Sequence, residues 1–363
     1  MKSFNYLLFI FLCIPIYFYG SDYQDYQFQF FFGRHPSAKS EAMGRTLVAS
    51  NDGAFTAYYN PAGSHFIKGI NFAFSHASPY YLLTKANYTF YGLSWNIEKL
   101  GTIGINQFRY SDGENAIWTT DFDPTSGSKY FVPSTSLTAF NYSRDIWKNL
   151  ALGINLNIFS EKIIDNKTFK TYPLDLGLMK QFLFSGQKDI SQQIGFGLSI
   201  KNVLGSSVNY ESPVVVGPAE KKVLPIILNI GSSYQVYLQR TDYFPDLYAM
   251  GITLQVEYQD VLNYDYRSGF KMGSEISLFE ILHWRMGYYT IGLNSNPVNG
   301  KKRLEDFTYG FGLLLPVNKL LKHGIPVTIS FDMTKLRQPS YIIYFDDWEN
   351  FSVYSFNVSF ILK

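Results

Sequence analysis

The chain has 363 residues, of which 46% are hydrophobic, 18% aromatic and 17% charged, with a formal net charge of +2. The mean hydropathy of −0.07, without several apolar runs of about 20 residues, excludes a helical membrane protein, and the aromatic content excludes a disordered chain. Because a net charge this small provides no basic field for phosphates, we expect no nucleic-acid partner.

The first 20 residues have the pattern of a secretory signal peptide. Lys2 precedes an apolar run from Tyr6 to Tyr19, and the small residues Gly20 and Ser21 follow. An apolar run of about 14 residues is shorter than the roughly 20 that a membrane anchor needs. The single cysteine, Cys13, lies inside this run, so we expect a mature chain without a disulfide, a thiol nucleophile or a thiolate metal site.

Residues 21–66 are predicted to form a hatch that fills the inside of a barrel. Between Ser37 and Phe66 the segment is rich in small residues, which suit close packing within a lumen. The dipeptide Asn60-Pro61 favours an extended or turn backbone, and Gly63 permits a positive φ. Turn formation alone is a sufficient explanation for these residues, so the motif by itself assigns no function.

Residues 67–363 alternate between apolar and polar side chains, which is the period of a β-strand with one apolar face. The alternation is clearest over 150–160, where Leu150, Leu152 and Ile154 begin the apolar series. About 14 strands are predicted, with ends accurate to a few residues. They cover 69–75, 88–97, 102–110, 135–143, 150–160, 172–183, 193–203, 226–236, 249–259, 268–277, 281–292, 306–315, 325–333 and 354–362.

A soluble sandwich also hides one face of each strand, so alternation has to be weighed with other features. The polar faces carry many small or uncharged polar residues and few charges, and the connections alternate between long and short, as in outer-membrane barrels. Aromatic residues gather at the strand ends, where rings with a polar tip suit the membrane interfaces. They are Tyr80, Tyr81, Tyr88, Tyr91, Trp95, Trp284, Tyr288, Tyr289, Tyr341, Tyr344 and Trp348. The fold class predicted is all-β, a transmembrane antiparallel β-barrel of about 14 strands with the hatch in its lumen.

Three short segments of the hatch resemble a known family. They are Ala42-Met43-Gly44, then Val48 to Ala54, then Tyr59-Asn60-Pro61-Ala62-Gly63. In this order they are similar to the N-terminal hatch of the FadL superfamily of outer-membrane proteins, which includes fatty-acid transporters and PorV-type secretion components. The final strand, with Tyr354, Phe356 and Phe360, looks like the signal read by the barrel-assembly machinery, which we expect as a partner during biogenesis.

The resemblance implies a bacterial outer-membrane protein, in contact with outer-membrane lipids, that imports a hydrophobic small molecule such as a long-chain fatty acid. Uptake would be passive and would need no cofactor. Its hatch and ligand residues would be Asn51, Asp52, Asn60, Pro61, Ala62 and Gly63. Pro173 and Pro225 are candidates for a kink in the wall, because proline interrupts a β-ladder. Two alternatives remain: a PorV-like, non-transporting partner in protein secretion or surface attachment, and an adhesin or structural barrel.

Polar side chains on the predicted inner faces could line the lumen. The candidates are Lys201, Glu257, Lys271, Glu275, His283 and Arg285. Mutual charge compensation in a polar interior explains these residues without a catalytic role. None of the five histidines lies in a Gly-x-Ser-x-Gly or His-Glu-x-x-His motif. We therefore expect no enzyme activity, no catalytic residue and no metal site.

Overall fold

A computed structural model describes residues 31–79, 86–111, 132–164, 167–187, 190–210, 220–239, 247–263, 268–292, 303–321, 325–336 and 351–361. The predicted signal peptide and the aromatic residues predicted at 80, 81, 341, 344 and 348 lie outside these ranges. No helix in the described part of the chain is long and apolar enough to cross a membrane.

Strands account for most of the described chain. They are β1 (Ile70–Ala77), β2 (Asn87–Ile97), β3 (Gly101–Ser111), β4 (Ser134–Trp147), β5 (Leu150–Ile164), β6 (Lys167–Thr171), β7 (Leu174–Gln187), β8 (Ile190–Lys201), β9 (Ser207–Tyr210), β10 (Glu220–Val223), β11 (Ile227–Gln239), β12 (Tyr248–Val261), β13 (Gly269–Leu278), β14 (Leu282–Gly292), β15 (Arg303–Leu315), β16 (Val327–Leu336) and β17 (Phe351–Phe360).

Fourteen of these strands close into an antiparallel barrel, as predicted. Each pairs with its neighbours along the chain, and β1 also pairs with β17, where Ile70 faces Phe360. The strand β6 continues the course of β7 along β5 but is separated from it by Tyr172 and Pro173. The short strands β9 and β10 form a separate hairpin in the connection between β8 and β11. Where the hydrogen-bond ladder between neighbouring strands is complete, closure leaves no strand edge unpaired.

The outer wall carries an apolar band. Outward positions on adjacent strands form lateral rows, and one such row is entirely apolar and mostly exposed: Phe72, Leu93, Ile105, Phe140 and Leu156. A continuous exposed apolar surface is incompatible with water but matches the hydrocarbon layer of a bilayer. Aromatic rings such as Tyr91, Trp95 and Trp284 also point outward, as predicted.

Two expectations about the aromatic residues and the loops are corrected. Tyr88 and Tyr289 are 5% and 3% exposed and face the lumen, so they are not interface residues. The predicted connection of about eleven residues after 160 is also wrong, because β5 runs on to Ile164 and pairs with β6, which begins at Lys167. Most other connections keep the predicted alternation between long and short. The connections after β2 and β4, at one end of the barrel, have three and two residues.

The hatch lies inside the barrel. It contains helix α1 (Ala38–Ala42), helix α2 (Thr56–Tyr59) and a 3-10 helix (Pro61–Phe66), which leads into β1. Ser37 caps α1 by accepting a hydrogen bond from the Ser40 N–H, and Asn60 caps the 3-10 helix. A further helix, α3 (Val317–Leu320), lies in the connection between β15 and β16.

Candidate functional site

The hatch backbone rests directly on glycine positions of the wall. A Cβ atom added to Gly273 or Gly287 would collide with the backbone of Met43 and Gly44. Further wall glycines meet the hatch in the same way: Gly153, Gly177, Gly195, Gly197 and Gly310. The alternation that places small residues on inner faces therefore creates seats for the hatch, and a larger side chain there would displace it.

The hatch reaches its seat at 43–45 through two consecutive left-handed residues. Gly44 and Arg45 have φ values of 65° and 66°. A positive φ is unfavourable for a residue with a side chain, so Arg45 needs support from its surroundings. Its Nε donates to Glu41 Oε2 at 2.9 Å, and its guanidinium lies 4.1 Å from the centre of the Tyr289 ring. These contacts support the left-handed backbone of Arg45.

The predicted turn at Asn60 joins the hatch to the wall. The Asn60 side chain is fully buried; its amide donates to the carbonyls of Val48 at 2.8 Å and Leu178 at 3.1 Å, and its oxygen accepts from the Ala62 N–H. Pro61 begins the 3-10 helix, where its missing N–H removes no hydrogen bond. These residues fold and seat the hatch, which is the structural explanation given for them above.

Gly63 is required for space and not for a positive φ. It lies inside the 3-10 helix and is not among the glycines with positive φ, contrary to the expectation from its sequence. An added Cβ would lie 2.5 Å from Thr56 Cγ2 and 3.3 Å from Met179 Sδ. Ala62 is also fully buried and packs beside Met179. Small residues are therefore needed where the 3-10 helix meets the wall.

Asn51 and Asp52 are close to each other but have different environments. Asn51 is partly exposed, and its amide points to the Phe66 carbonyl at 3.5 Å. Asp52 is buried and accepts a hydrogen bond from the Ser37 hydroxyl, which ties the start of α1 to the middle of the hatch. Burial raises the pKa of Asp52 above the usual carboxyl value, while the Lys39 ammonium and the Ser37 hydroxyl oppose that rise.

A buried ion pair on the wall holds the centre of the hatch; we call Glu257 with Lys271 the latch. One Glu257 oxygen accepts from the N–H groups of Leu47 and Val48, at 3.1 Å each. The other accepts from Lys271 Nζ at 2.8 Å. Glu257 and Lys271 are 4% and 1% exposed, so the hydrogen bonds form out of water, where charge-assisted bonds are strong.

Three more of the predicted lumen residues form a second cluster. Arg285 lies between Glu275 and Asp332. Its Nε is 2.5 Å from a Glu275 oxygen, and its Nη1 is 2.5 Å from an Asp332 oxygen. His283 Nδ1 is 3.5 Å from Glu275. The sequence analysis missed Asp332, although its position between Ser330 and Thr334 on the inner face of β16 was a readable signal. Charge compensation accounts for this cluster, as expected.

Beyond the hatch, towards the long loops, the inner wall changes from polar to apolar. The inward residues there are large and buried; they include Tyr88, Phe108, Leu137, Phe159, Ile291, Leu336, Phe351 and Val353. We call this apolar region the chamber. Its floor is the hatch residue Tyr58, whose ring contacts Phe108 edge to face. Phe31 and Phe32 of the hatch pack within the chamber, where Phe32 stacks on Phe159 and Phe31 meets Phe159 edge to face.

A half-buried cation, Lys201, lies at the edge of the chamber. Lys201 Nζ is 3.7 Å from the centre of the Tyr58 ring, a cation–π contact. Among the described residues, no carboxylate lies within ion-pair distance of Lys201. Lys201 lines a narrow cavity together with His35, Tyr59, Asn229 and Glu257. The latch and the unpaired cation therefore face the same space.

His35 is the titratable hatch residue at the centre of this region. It contacts the Tyr59 ring and lies 3.2 Å from the Ser40 hydroxyl. Burial, assisted by the positive charges of Lys271 and Arg45, lowers the pKa of His35 well below its usual value of 6.5. Within the described ranges, no group of three or more potential ligands could hold a metal ion.

Comparison with known proteins gives matches among solved structures alone, since no family model and no curated protein matches the chain. The CymD monoaromatic hydrocarbon channel is 10% identical, with a TM-score of 0.46, over 90% of this chain and 97% of that one. A Pseudomonas aeruginosa FadL homologue is 10% identical, with a TM-score of 0.44, over 90% and 98%. The Pseudomonas putida toluene transporter TodX is 11% identical, with a TM-score of 0.41, over 89% and 96%.

Proposed function

We propose that this protein is a bacterial outer-membrane channel that takes up hydrophobic solutes by passive diffusion. The observation that carries the proposal is the chamber, an aromatic and aliphatic interior inside a barrel wall that is otherwise lined by polar residues. Apolar side chains facing a lumen are costly unless they contact apolar groups, and a hydrophobic ligand supplies these contacts. In the present conformation Phe31 and Phe32 supply them.

We further propose that the substrates carry an anionic head group, as long-chain fatty acids do. Lys201 supports this choice, because a half-buried ammonium with no carboxylate partner in the described part of the chain favours an incoming anion. The apolar chain of the substrate would lie against Phe108 and Phe159, after displacing Phe31. A neutral hydrocarbon could use the same chamber but would gain nothing from Lys201.

The break in the wall supports a lateral exit. Strand β6 is the terminal strand of the main sheet, because β8, which pairs with β7, ends at Lys201 and β9 forms no ladder with β6. The Ser206 hydroxyl donates to the Tyr172 carbonyl at 3.1 Å across the base of this break. Pro173 lies between β6 and β7, and its carbonyl accepts a hydrogen bond from the Asn157 N–H at 3.0 Å, so the strand stays on β5 there; Pro225 lies just before the start of β11. We propose that substrates leave through the break between β6 and β9.

The experiment measures both the binding of labelled palmitate to the purified protein and its uptake into liposomes that contain the protein, each compared with toluene. We expect the Lys201→Met variant to bind palmitate about tenfold to a hundredfold more weakly, because it loses a charge-assisted contact, and to bind toluene unchanged. The matched control is Lys180→Met, at an outward lysine of β7. Equal losses for both solutes would contradict the head-group role, and no uptake of either solute would contradict transport.

The PorV-like alternative has one observation in its favour. The hatch contacts wall glycines on many strands and is held by the latch, which suits a barrel that stays closed. A partner would dock on the long loops at 111–134 and 204–225; residues 112–131 lie outside the described residues, whereas the second loop contains β9 and β10 and lies outside them over 211–219. Failure of uptake together with co-purification of a secreted protein would favour this alternative.

A further inference from the structure

The outer wall of β1 to β6 changes character within three lateral rows of side chains. The row nearest the short turns is apolar: Phe72, Leu93, Ile105, Phe140 and Leu156. The next row is mixed: Phe74, Tyr91, Gln107, Thr138 and Ile158. The row nearest the long loops is entirely polar: His76, Thr89, Arg109, Ser136, Ser160 and Lys170. We call this last row the polar row.

The polar row lies at the outer edge of the apolar band. Successive rows on one strand are two residues apart, about 7 Å along the strand, so the polar row follows the apolar row after about 14 Å. Aromatic rings with polar tips, such as Tyr91, stand between the two rows, as they do at membrane interfaces. The polar row is therefore at the depth of the lipid head groups.

The polar row is positively charged. Two of its residues, Arg109 and Lys170, are exposed cations, and none of its six residues is acidic. Among the outward residues described on the loop side of β1 to β6, there is no aspartate or glutamate.

A groove on the same face adjoins the polar row. It has a volume of about 570 Å³ and lies between the mixed and the apolar rows. Its walls are apolar, and Gln107 and Thr138 stand at the side nearest the polar row, joined by a hydrogen bond of 3.0 Å. Arg109 is the next outward residue after Gln107 on β3. Cationic, hydroxyl and apolar groups thus follow one another in the order of a lipid molecule.

We propose that the polar row and the groove bind an anionic phospholipid of the outer leaflet. The phosphate contacts Arg109 and Lys170, the hydroxyls of Ser136 and Ser160 donate hydrogen bonds to its oxygens, and an acyl chain lies in the groove. Charge complementarity selects the occupant, because a zwitterionic or neutral lipid gains little from two cations without acidic neighbours.

The test is lipid retention by the purified full-length protein in mass spectrometry under native conditions. The probes are dioleoyl phosphatidylglycerol, which is anionic, and dioleoyl phosphatidylcholine, which is zwitterionic. We expect the wild type to retain the anionic lipid preferentially. The R109Q/K170Q variant should lose about fivefold in affinity for each cation, on the order of twenty-five-fold in total. The loss should shrink at high salt.

The matched control is Lys335→Gln, at an outward lysine of β16 whose lateral neighbour is Tyr309. It should leave retention unchanged. A shift in electrophoretic mobility on heating shows that each variant is a folded barrel. Equal retention of both lipids by the wild type, or an unchanged preference in R109Q/K170Q, would overturn the proposal.

Discussion

The latch gives the sharpest prediction about how the hatch is held. Replacing Glu257 with glutamine keeps the shape of the side chain but leaves the buried Lys271 ammonium without a carboxylate. Removing one partner of a buried ion pair costs about 3–5 kcal/mol. Because the amide oxygen can still accept from the Leu47 or the Val48 N–H, we take the lower limit of about 3 kcal/mol. The population of the undocked hatch should therefore rise about 150-fold.

The assay is maleimide labelling of a cysteine introduced at Ser50, which is 3% exposed and accepts a hydrogen bond from Gln255 Nε2 at 2.8 Å. The native cysteine, Cys13, lies in the predicted signal peptide. When opening is rare and fast, the labelling rate follows the population of the open state. We expect S50C to react about 150-fold faster in the Glu257→Gln background.

The exposed pair formed by Lys319 and Glu280 provides the control. Its atoms are 2.7 Å apart, much as in the latch, but the Lys319 side chain is 35% exposed. A surface ion pair contributes about 0–1 kcal/mol, so Glu280→Gln should change labelling by less than about fivefold.

A double variant separates the unpaired charge from other effects of the latch substitution. Glu257→Gln combined with Lys271→Met removes both charges, so it should label more slowly than Glu257→Gln alone. Our account of the latch is wrong if Glu257→Gln labels as slowly as Glu280→Gln in a folded barrel.

Three further predictions concern the seating of the hatch, each measured by S50C labelling. Gly287→Val should raise the labelling rate strongly, because the valine side chain occupies the position of the hatch. Gly104→Ala, whose Cβ would meet its nearest atom at 3.1 Å, should not raise it. Equal effects of the two variants would contradict the claim that wall glycines make room for the hatch. Burial keeps the pKa of His35 low, so the docked hatch is favoured above about pH 6.5 and is lost as the pH falls. The S50C labelling rate, normalised to that of the denatured protein, should therefore rise on acidification, and His35→Gln should remove that rise. Asn60→Ala leaves two carbonyls and one N–H without a partner, at about 3 kcal/mol in total, and should raise labelling about 150-fold; a change below tenfold would refute that value.

Much of the fold could be read from the sequence because a β-strand is a local pattern. A period of two in side-chain polarity locates each of the fourteen strands. The hatch motif could be read for a similar reason, since the turn at Asn60 is formed by neighbouring residues. The loop after β5 could not be read, because β5 and β6 extend beyond the band where alternation is pronounced.

The role of the many aromatic residues becomes clear only from the closed barrel. Alternation assigns Tyr88 and Tyr289 to one of two faces, but only strand closure decides that these rings line a chamber and that Tyr91 faces lipid. The latch likewise depends on residues that are far apart in the chain, since Glu257 meets Leu47 across 210 positions. The sequence by itself therefore determined the strands, the hatch and the apolar exterior. The tertiary structure decided which charges are paired, which glycines seat the hatch and that Lys201 contacts the Tyr58 ring and no carboxylate of the described residues, because these depend on distances between strands that no local pattern encodes.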